Sequence, residues 1–523
     1  MAPSDTGFEP EDLTRATQSA KLPPVLAVGA FGLLLLGWVV GNPPLAGPDE
    51  SGHYARALGI TTDGLVGASV SGYAPPDLDP LQRAIVAQAV REVTLPPGLA
   101  PQDRSCFLHR PAESVACLDR APPAPAEPVA WVTNVGTYQP AFYVLPGYLA
   151  RLGPTPEVAA GIGRGVSAAT ALALLALGIA ALWRPGAGGL PLVGPLVAVT
   201  PMVVFTAAAL NPSGPEIAAG FALAAGLLRM ARDPAPPAWV WGVTGVAGAA
   251  LVLGRSIGPL WLAVHLLVFL VVKGPSATVG LVRTRPARAA AAAVVVGVAL
   301  AGNLAFEAAY GLEVRVDPRP LGPSLVAAWE FTREAIIRHA VGVFGHLDVP
   351  LPSVLYWTWW SLTAGLWGLA LVVGTMRQRT ALALSSAGVL MAPVLLETLV
   401  LRHHGFHIQG RHVLPILVIV PLLAGEIVAE RRARLPRRSA AVVPAVTSLT
   451  VAGVHVLAWY TNGRRAAVGI PGSWAFPLGP EWAPPGSWLP WLAVVVTGSA
   501  LLAVAALTAT ATGRRDHAAS SVP

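Results

Sequence analysis

Long apolar runs recur along this chain, and they determine what it can fold into. A run of about 17 to 25 residues with few charges is long enough to cross the hydrocarbon of a bilayer as a helix. The runs that meet this description lie at residues 22–41, 158–183, 189–210, 214–231, 238–254, 257–272, 289–306, 355–374, 381–401, 413–428, 440–460 and 489–509. We therefore predict an all-α polytopic membrane protein with about twelve transmembrane helices, within a range of about 11 to 13.

The composition excludes a soluble domain. Of the 523 residues, 54% are hydrophobic and only 12% are charged, which is too few to cover an apolar core in water. The net charge of +7 comes from basic residues that stand in short clusters between the apolar runs. This distribution is typical of the cytoplasmic loops of a membrane protein, so we predict contact with membrane lipid and no nucleic-acid partner.

The arginine clusters also predict the orientation of the chain. Cytoplasmic loops carry an excess of Lys and Arg. With the N-terminus in the cytoplasm, the cytoplasmic connections contain Arg184, Arg229, Arg232, Lys273, Arg283, Arg285, Arg288, Arg377, Arg379, residues 431–438, Arg514 and Arg515. We expect a multi-pass protein of the cytoplasmic (inner) membrane, with a single transmembrane domain at 22–510 between cytoplasmic tails at 1–21 and 511–523.

This orientation directs three substantial loops outward. The first, at 42–157, is the largest, and the other two lie at 307–354 and 461–487. We expect amphipathic helices at 79–93 and 324–341 within these loops. An aromatic run at 138–152 is too short to span and predicts an interfacial or re-entrant segment, with a thirteenth transmembrane helix as the alternative.

Both cysteines of the chain, Cys106 and Cys117, lie in the first outer loop. Outside the cytoplasm, such a pair is expected to form a disulfide. Two free thiols are the alternative.

The stretch that follows the first apolar run is the main candidate for chemistry. It reads Asp49-Glu50-Ser51-Gly52-His53, so two carboxylates and a histidine stand where the chain leaves the bilayer. An aspartate can act as a general base toward a hydroxyl, and an Asp/Glu pair can hold a divalent cation such as Mg²⁺ or Mn²⁺. The alternative is that Asp49 and Glu50 cap the following helix.

Basic groups on the outer side offer a partner for phosphate. Arg255 lies at the outer tip of two predicted helices, and the segment 402–412 contains Arg402, Gln409 and Arg411. Positive charge on this side runs against the usual bias, and arginine binds phosphate through paired N–H groups. The histidines of that segment match no zinc-site spacing, so we favour a phosphate clamp with Arg411 as its main residue and His53 nearby.

Several short motifs taken together resemble a known family. They are Pro48-Asp49-Glu50 with His53, Gln139-Pro140 with Tyr143, Asn211-Pro212, Gly342-Val343-Phe344-Gly345 with Asp348, and Gln409-Gly410-Arg411 with Pro415. Their order and spacing resemble a bacterial family of predicted membrane proteins of unknown function. That family is similar in turn to GT-C glycosyltransferases, which include oligosaccharyltransferases, protein mannosyltransferases and actinobacterial arabinosyltransferases.

The resemblance implies a GT-C-like fold, a polyprenyl-phosphate sugar as donor, and Asp49 at the position of the base or metal ligand. One departure concerns the metal, because Asn211-Pro212-Ser213 stands where a second acidic residue is expected. The function we predict is inverting sugar transfer to a glycan, lipid or protein acceptor of the cell envelope. The alternatives are a transporter or flippase of lipid-linked glycans and a noncatalytic assembly protein.

Overall fold

A computed structural model describes residues 10–73, 77–120, 122–313 and 316–519, with side chains from residue 21 to residue 511. Parts of both predicted tails, at 1–9 and 520–523, lie outside these residues. The helices of the first half are α1 (Pro10–Gly41), α2 (Glu50–Asp63), α3 (Pro80–Ala89), α4 (Ala141–Ala150), α5 (Pro156–Leu182), α6 (Leu190–Ala198), α7 (Pro201–Ala207), α8 (Ser213–Arg232), α9 (Ala238–Gly254) and α10 (Gly258–Lys273).

Ten further helices follow, and short strands in the loops form two antiparallel sheets. The helices are α11 (Pro275–Thr284), α12 (Pro286–Tyr310), α13 (Leu321–Phe331), α14 (Ile337–Val341), α15 (Ser353–Val373), α16 (Met376–His404), α17 (Leu414–Leu417), α18 (Ile419–Glu430), α19 (Arg437–Val468) and α20 (Trp488–Ala519). The strands are β1 (Ala68–Ser69), β2 (Arg91–Leu95), β3 (Val129–Thr133), β4 (Val343–Phe344) and β5 (Val349–Pro350), in the orders β1-β2-β3 and β4-β5.

All twelve predicted spans are largely helical, and several of these helices have the length and apolar composition needed to cross a membrane. Within the described residues, six helices are long and apolar enough to cross a membrane: Lys21–Gly41, Pro156–Leu182, Pro286–Tyr310, Met376–His404, Arg437–Val468 and Trp488–Ala511. Two bent pairs, α6 with α7 and α10 with α11, bring this number to as many as eight. Membrane crossing by α8, α9, α15 and α17 with α18 stays a prediction.

The small sheets correct the all-α prediction. The helix expected at 79–93 ends at Ala89, and residues 91–95 form the central strand of the first sheet. Val93 and Leu95 are buried while their neighbours Glu92 and Thr94 are exposed, which is the two-residue alternation of a strand with one covered face. This strand packs on α2, where a Cβ on Gly59 would lie 2.6 Å from Val93.

The break between α6 and α7 shapes the centre of the fold. Pro201 disfavours helical geometry at the preceding Thr200, whose side chain instead accepts a hydrogen bond from Val203 N–H and starts α7. The two helices meet at 64°. Helix α6 packs closely on α18, where a Cβ on Gly425 of α18 would lie 2.6 Å from the Cα of Gly194 in α6.

A disulfide joins Cys106 and Cys117 in the first loop. The loop it closes packs against the end of α19, where Arg465 donates to the carbonyl of Phe107 at 2.7 Å. A disulfide that closes so short a loop stabilises a fold by about 2 to 3 kcal/mol.

We therefore expect Cys106→Ser to lower the thermal unfolding temperature of the purified protein, and dithiothreitol to lower that of the wild type to the same value. The variant itself should not respond to dithiothreitol. Equal stability of wild type and variant under oxidising conditions would contradict a stabilising role for this bond.

Candidate functional site

The turn after α1 places Asp49 in an unusual backbone conformation. Its φ of 58° and ψ of 11° lie in the left-handed region, which aspartate tolerates better than most residues. Asp49 precedes α2 directly, yet its side chain accepts no capping hydrogen bond from that helix. The helix-cap alternative for Asp49 is therefore wrong, and its carboxylate points elsewhere.

The partner of Asp49 is Arg411, which lies 362 positions further along the chain. Nη2 of Arg411 is 2.6 Å from Oδ2 of Asp49. Nη1 of the same guanidinium donates to the carbonyl oxygen of Pro48 at 3.2 Å. The Arg411 side chain is only 2% exposed, whereas that of Asp49 is 29% exposed, so the carboxylate is the member of the pair that an incoming molecule reaches.

Local geometry fixes the segment that carries Arg411. Helix α16 ends at His404, and the next residue, Gly405, has a φ of 76°, the left-handed conformation that glycine adopts readily at helix ends. Glu397 then holds the returning chain by accepting from Ile408 N–H at 2.7 Å. Gly410 approaches His339 so closely that a Cβ would lie 2.2 Å from the histidine Cβ, which requires glycine at this position.

Three buried nitrogen atoms in or near the ion pair have no hydrogen-bond partner among the described residues. They are Nε of Arg411, Nε2 of His53 and Nε2 of His412. His53 is oriented by Tyr143, whose hydroxyl lies 2.7 Å from Nδ1. Buried polar groups are nearly always hydrogen-bonded in folded proteins, so such a group of atoms indicates a site prepared for a polar ligand.

The electrostatics of this region keep Asp49 ionised and the histidines neutral. Burial by itself would raise the pKa of Asp49, but Arg411, His53 and His346 together lower it to about 2. Burial and the adjacent arginines hold the pKa of His53 well below its usual value. The site therefore presents one carboxylate together with a permanent positive charge and uncharged imidazoles at neutral pH.

Arg255 is a second basic group, and it contacts the turn that leads into α8. Its Nη2 donates to Oγ of Ser213 at 2.5 Å, its Nε lies 3.2 Å from a carboxylate oxygen of Glu216, and its guanidinium sits 5.3 Å from the ring centroid of Tyr138. The same turn contains Asn211, whose Nδ2 donates to the Pro48 carbonyl at 3.2 Å. Two of the three predicted phosphate-binding arginines are thus connected to the backbone beside Asp49, Arg411 directly and Arg255 through Asn211.

Glu50 has a different environment from its neighbour. Its fully buried carboxylate meets Arg164 in two contacts, of 2.7 and 2.6 Å, and accepts from Gly47 N–H and Leu210 N–H at 3.0 and 2.8 Å. Arg164 also donates to the carbonyl of Pro43 at 2.7 Å, just after α1. Both Glu50 oxygens are thus fully engaged in the framework of the site, and a catalytic role for Glu50 stays a prediction.

A divalent cation does not fit these side chains. Each oxygen of Glu50 already accepts two hydrogen bonds, and Asp49 is paired with Arg411. No three His, Cys, Asp or Glu side chains within the described ranges are grouped so that they could share a metal ion. Mg²⁺ and Mn²⁺ take oxygen ligands, and Glu50 could supply them only if its ion pair with Arg164 were broken.

The remaining predicted site residues are less closely connected. Gln409 precedes the Arg411 turn, and its buried Oε1 has no hydrogen-bond partner among the described residues. Arg402 lies in the last turn of α16, where its carbonyl accepts from Arg319 N–H at 2.9 Å. In the part of the chain that the structure describes, Arg402 makes no hydrogen bond or ion pair to Asp49 or Arg411.

Sequence reasoning missed several contributors, and one of them carried a readable signal. Arg164 lies inside an apolar helix that is long enough to span, and a charge in such a segment by default indicates a functional or structural partner. His412 lies in the polar segment 402–412 and Tyr143 in one of the family motifs, but the sequence pattern assigns neither residue a role. His346 acts on Asp49 from the β4–β5 hairpin, and no local pattern connects these two residues.

The fold and the site define a multi-helix membrane protein whose polar centre joins a carboxylate to buried arginines where helix ends and loops meet. The chain belongs to the predicted membrane protein family DUF2142, whose model matches residues 31–420. No curated protein matches the chain.

Two solved structures of ArnT from Cupriavidus metallidurans are distantly similar in fold. One is the apo state, with a TM-score of 0.41, and the other is bound to undecaprenyl phosphate, with a TM-score of 0.37. Each is 12% identical over 72% of this chain, and the matches cover 66% and 67% of the ArnT chains.

Proposed function

We propose that this protein transfers a sugar from a polyprenyl-phosphate donor to an acceptor hydroxyl at the outer face of the cytoplasmic membrane. The observation that carries the proposal is the contact between Asp49 and Arg411, with 2.6 Å between carboxylate and guanidinium. One partly exposed carboxylate beside a buried guanidinium supplies the two groups that such a transfer needs: a proton acceptor and a partner for the departing phosphate.

The proposed step moves one proton and exchanges one bond. The acceptor oxygen attacks the anomeric carbon, the bond from that carbon to the phosphate oxygen breaks, and Asp49 takes the acceptor's hydroxyl proton. Arg411, with Arg255 beside it, stabilises the charge on the departing phosphate. Attack from the face opposite the phosphate inverts the anomeric carbon.

The ion pair also explains how the donor would prepare the base. In the described state Arg411 lowers the pKa of Asp49, and a carboxylate with a pKa of about 2 is a weak base. A donor phosphate that engages Arg411 neutralises part of this positive charge. The pKa of Asp49 then rises at the moment when a base is needed, so binding of the donor and activation of the acceptor are coupled.

An apolar cavity that α17 helps to line, just after Arg411, offers room for the first part of the donor's lipid chain. It has a volume of about 280 Å³ and is lined by residues that include Val197, Ala340, Trp359, Trp360, Leu414 and Leu417. Leu414 begins α17, three positions after Arg411. A phosphate held by Arg411 would therefore place an attached polyprenyl chain next to an apolar surface.

Replacement of Arg411 tests the phosphate-binding role. We expect Arg411→Gln to reduce transfer by about 10²- to 10³-fold, because one preorganised charged donor to the leaving group is lost. The assay uses the full-length protein in proteoliposomes and polyprenyl phosphates labelled with radioactive arabinose, mannose or glucose. Transfer of label to an acceptor in a membrane-free envelope extract is measured.

Arg151→Gln is the matched control, because Arg151 is an exposed arginine at the end of α4 and the charge change is the same. The control should transfer at the wild-type rate. Movement of intact labelled donor across the bilayer, without transfer, would instead identify a flippase. Wild-type transfer by Arg411→Gln would remove Arg411 from the reaction.

A further inference from the structure

A second cavity is lined, like the apolar one, in part by α14, and it has a different character. It is formed between α13–α14 and the β4–β5 hairpin, and we name it the hairpin cavity. Its volume is about 330 Å³, and its lining includes Phe331, Glu334, Arg338, His339, Leu347 and Asp348. This volume falls within the range of small-molecule sites, about 300 to 1,000 Å³.

The helical wall of the hairpin cavity owes its shape to an irregular turn. Residues Thr332–Ile336 form a π-helical turn between α13 and α14. Such turns are rare in proteins as a whole, but those that occur are often found at functional sites. The turn lies where Phe331, Glu334 and Arg338 line the cavity from successive turns of the same helix.

Two side chains of the hairpin cavity lead directly to the proposed reaction centre. Nδ1 of His339 lies 3.4 Å from the backbone nitrogen of Gly410, which precedes Arg411. Asp348 accepts from the backbone N–H of His346 at 2.9 Å, and His346 is one of the groups that lower the pKa of Asp49. Through these contacts the lining of the cavity meets the backbone next to Arg411 and the loop that carries His346.

The lining selects a hydroxyl-rich ligand of little net charge. Glu334 and Arg338 are exposed and of opposite sign, and Glu334 pairs with its neighbour Arg333 at 3.0 Å. The charge of Asp348 is offset by Arg465 at 3.1 Å. Phe331, whose ring stacks on that of His407 with 4.3 Å between the centroids, adds an aromatic surface. Carboxylate and guanidinium groups can accept from and donate to the hydroxyls of one sugar ring while an aromatic group covers its apolar side.

We propose that the hairpin cavity binds a carbohydrate acceptor and presents its hydroxyl to Asp49. This inference rests on the proposed function for the role of the ligand as acceptor, but binding itself does not require transfer. The chain would thus receive its two substrates in two cavities that share α14: a lipid-linked donor in the apolar cavity and a glycan in the hairpin cavity.

Binding without a donor tests this assignment. Saturation-transfer NMR on the full-length protein in nanodiscs would compare maltotriose, mannotriose, arabinotriose and a Ser/Thr-rich peptide of similar size. We expect a trisaccharide to bind, and Arg338→Ala and Glu334→Ala each to weaken its binding by about tenfold, the loss expected when one hydrogen bond to a charged group is removed.

Arg151→Ala is the control, because Arg151 is exposed at the end of α4 and does not line the cavity. It should bind the trisaccharide as the wild type does. Absence of trisaccharide binding, or binding equally weakened by Arg151→Ala, would overturn the assignment, as would peptide binding alone that depends on Arg338. Since no donor is present, trisaccharide binding by a chain that transfers no sugar would retain the carbohydrate site and reject the transferase function.

Discussion

Asp49→Asn is expected to lower sugar transfer by about 10²- to 10⁴-fold, the range typical of a lost general base. The amide is close in shape to the carboxylate and can still accept a hydrogen bond from Arg411, but it cannot take a proton from an acceptor. Since Asp49 is 29% exposed, water can hydrate the altered pair, and the folded state should persist. Transfer from labelled polyprenyl-phosphate sugars, measured beside thermal unfolding, checks both parts of this prediction.

The Asp49→Asn variant should lose transfer without losing affinity for the donor phosphate. In the wild type, Asp49 competes with an incoming phosphate for the guanidinium of Arg411. The substituted amide carries no charge, so the variant should bind undecaprenyl phosphate at least as tightly as the wild type while it fails to transfer. Asp103→Asn is the matched control, because this exposed carboxylate of the same loop accepts hydrogen bonds from Ser105, two residues away. Loss of phosphate binding together with loss of transfer would point to a structural role for Asp49.

Much of the helical fold could be predicted from the sequence because the bilayer imposes a length on apolar segments. Every predicted span coincides with one or two helices, and the contact between Asp49 and Arg411 joins residues that were singled out separately by their chemistry. Strands β1, β4 and β5 could not be predicted, since they contain two residues each, and the start of β2 was instead predicted as the end of an amphipathic helix. A periodic pattern requires about four residues to be recognised.

The division of roles between Asp49 and Glu50 lay beyond local sequence patterns. The left-handed φ of 58° at Asp49 turns two adjacent carboxylates in different directions, one toward Arg411 and one toward Arg164. Neither partner is near in sequence, at 362 and 114 positions away. Sequence alone therefore singled out the acidic pair but could not decide which member faces an accessible site.

Glu50→Gln should primarily cost stability. Glu50 is fully buried and Arg164 is 3% exposed, and their contacts tie the end of α1 to α5 and to the turn before α8. Removing one member of a buried ion pair leaves the other charge without compensation, at a cost of about 3 to 5 kcal/mol. The same charge change at Glu157, which is exposed in the first turn of α5, should cost no more than about 1 kcal/mol.

A double-mutant cycle separates this framework role from chemistry. Arg164→Met alone should destabilise as strongly as Glu50→Gln, and the double variant should be more stable than the sum of the single losses predicts, because no charge is then left buried alone. Thermal or denaturant unfolding of the full chain in detergent measures each corner of the cycle. Folded Glu50→Gln should keep measurable transfer, since Asp49 and Arg411 still meet. If Glu50→Gln kept wild-type stability but transferred no sugar, Glu50 would take part in the reaction, and the roles proposed for the two adjacent carboxylates would be reversed.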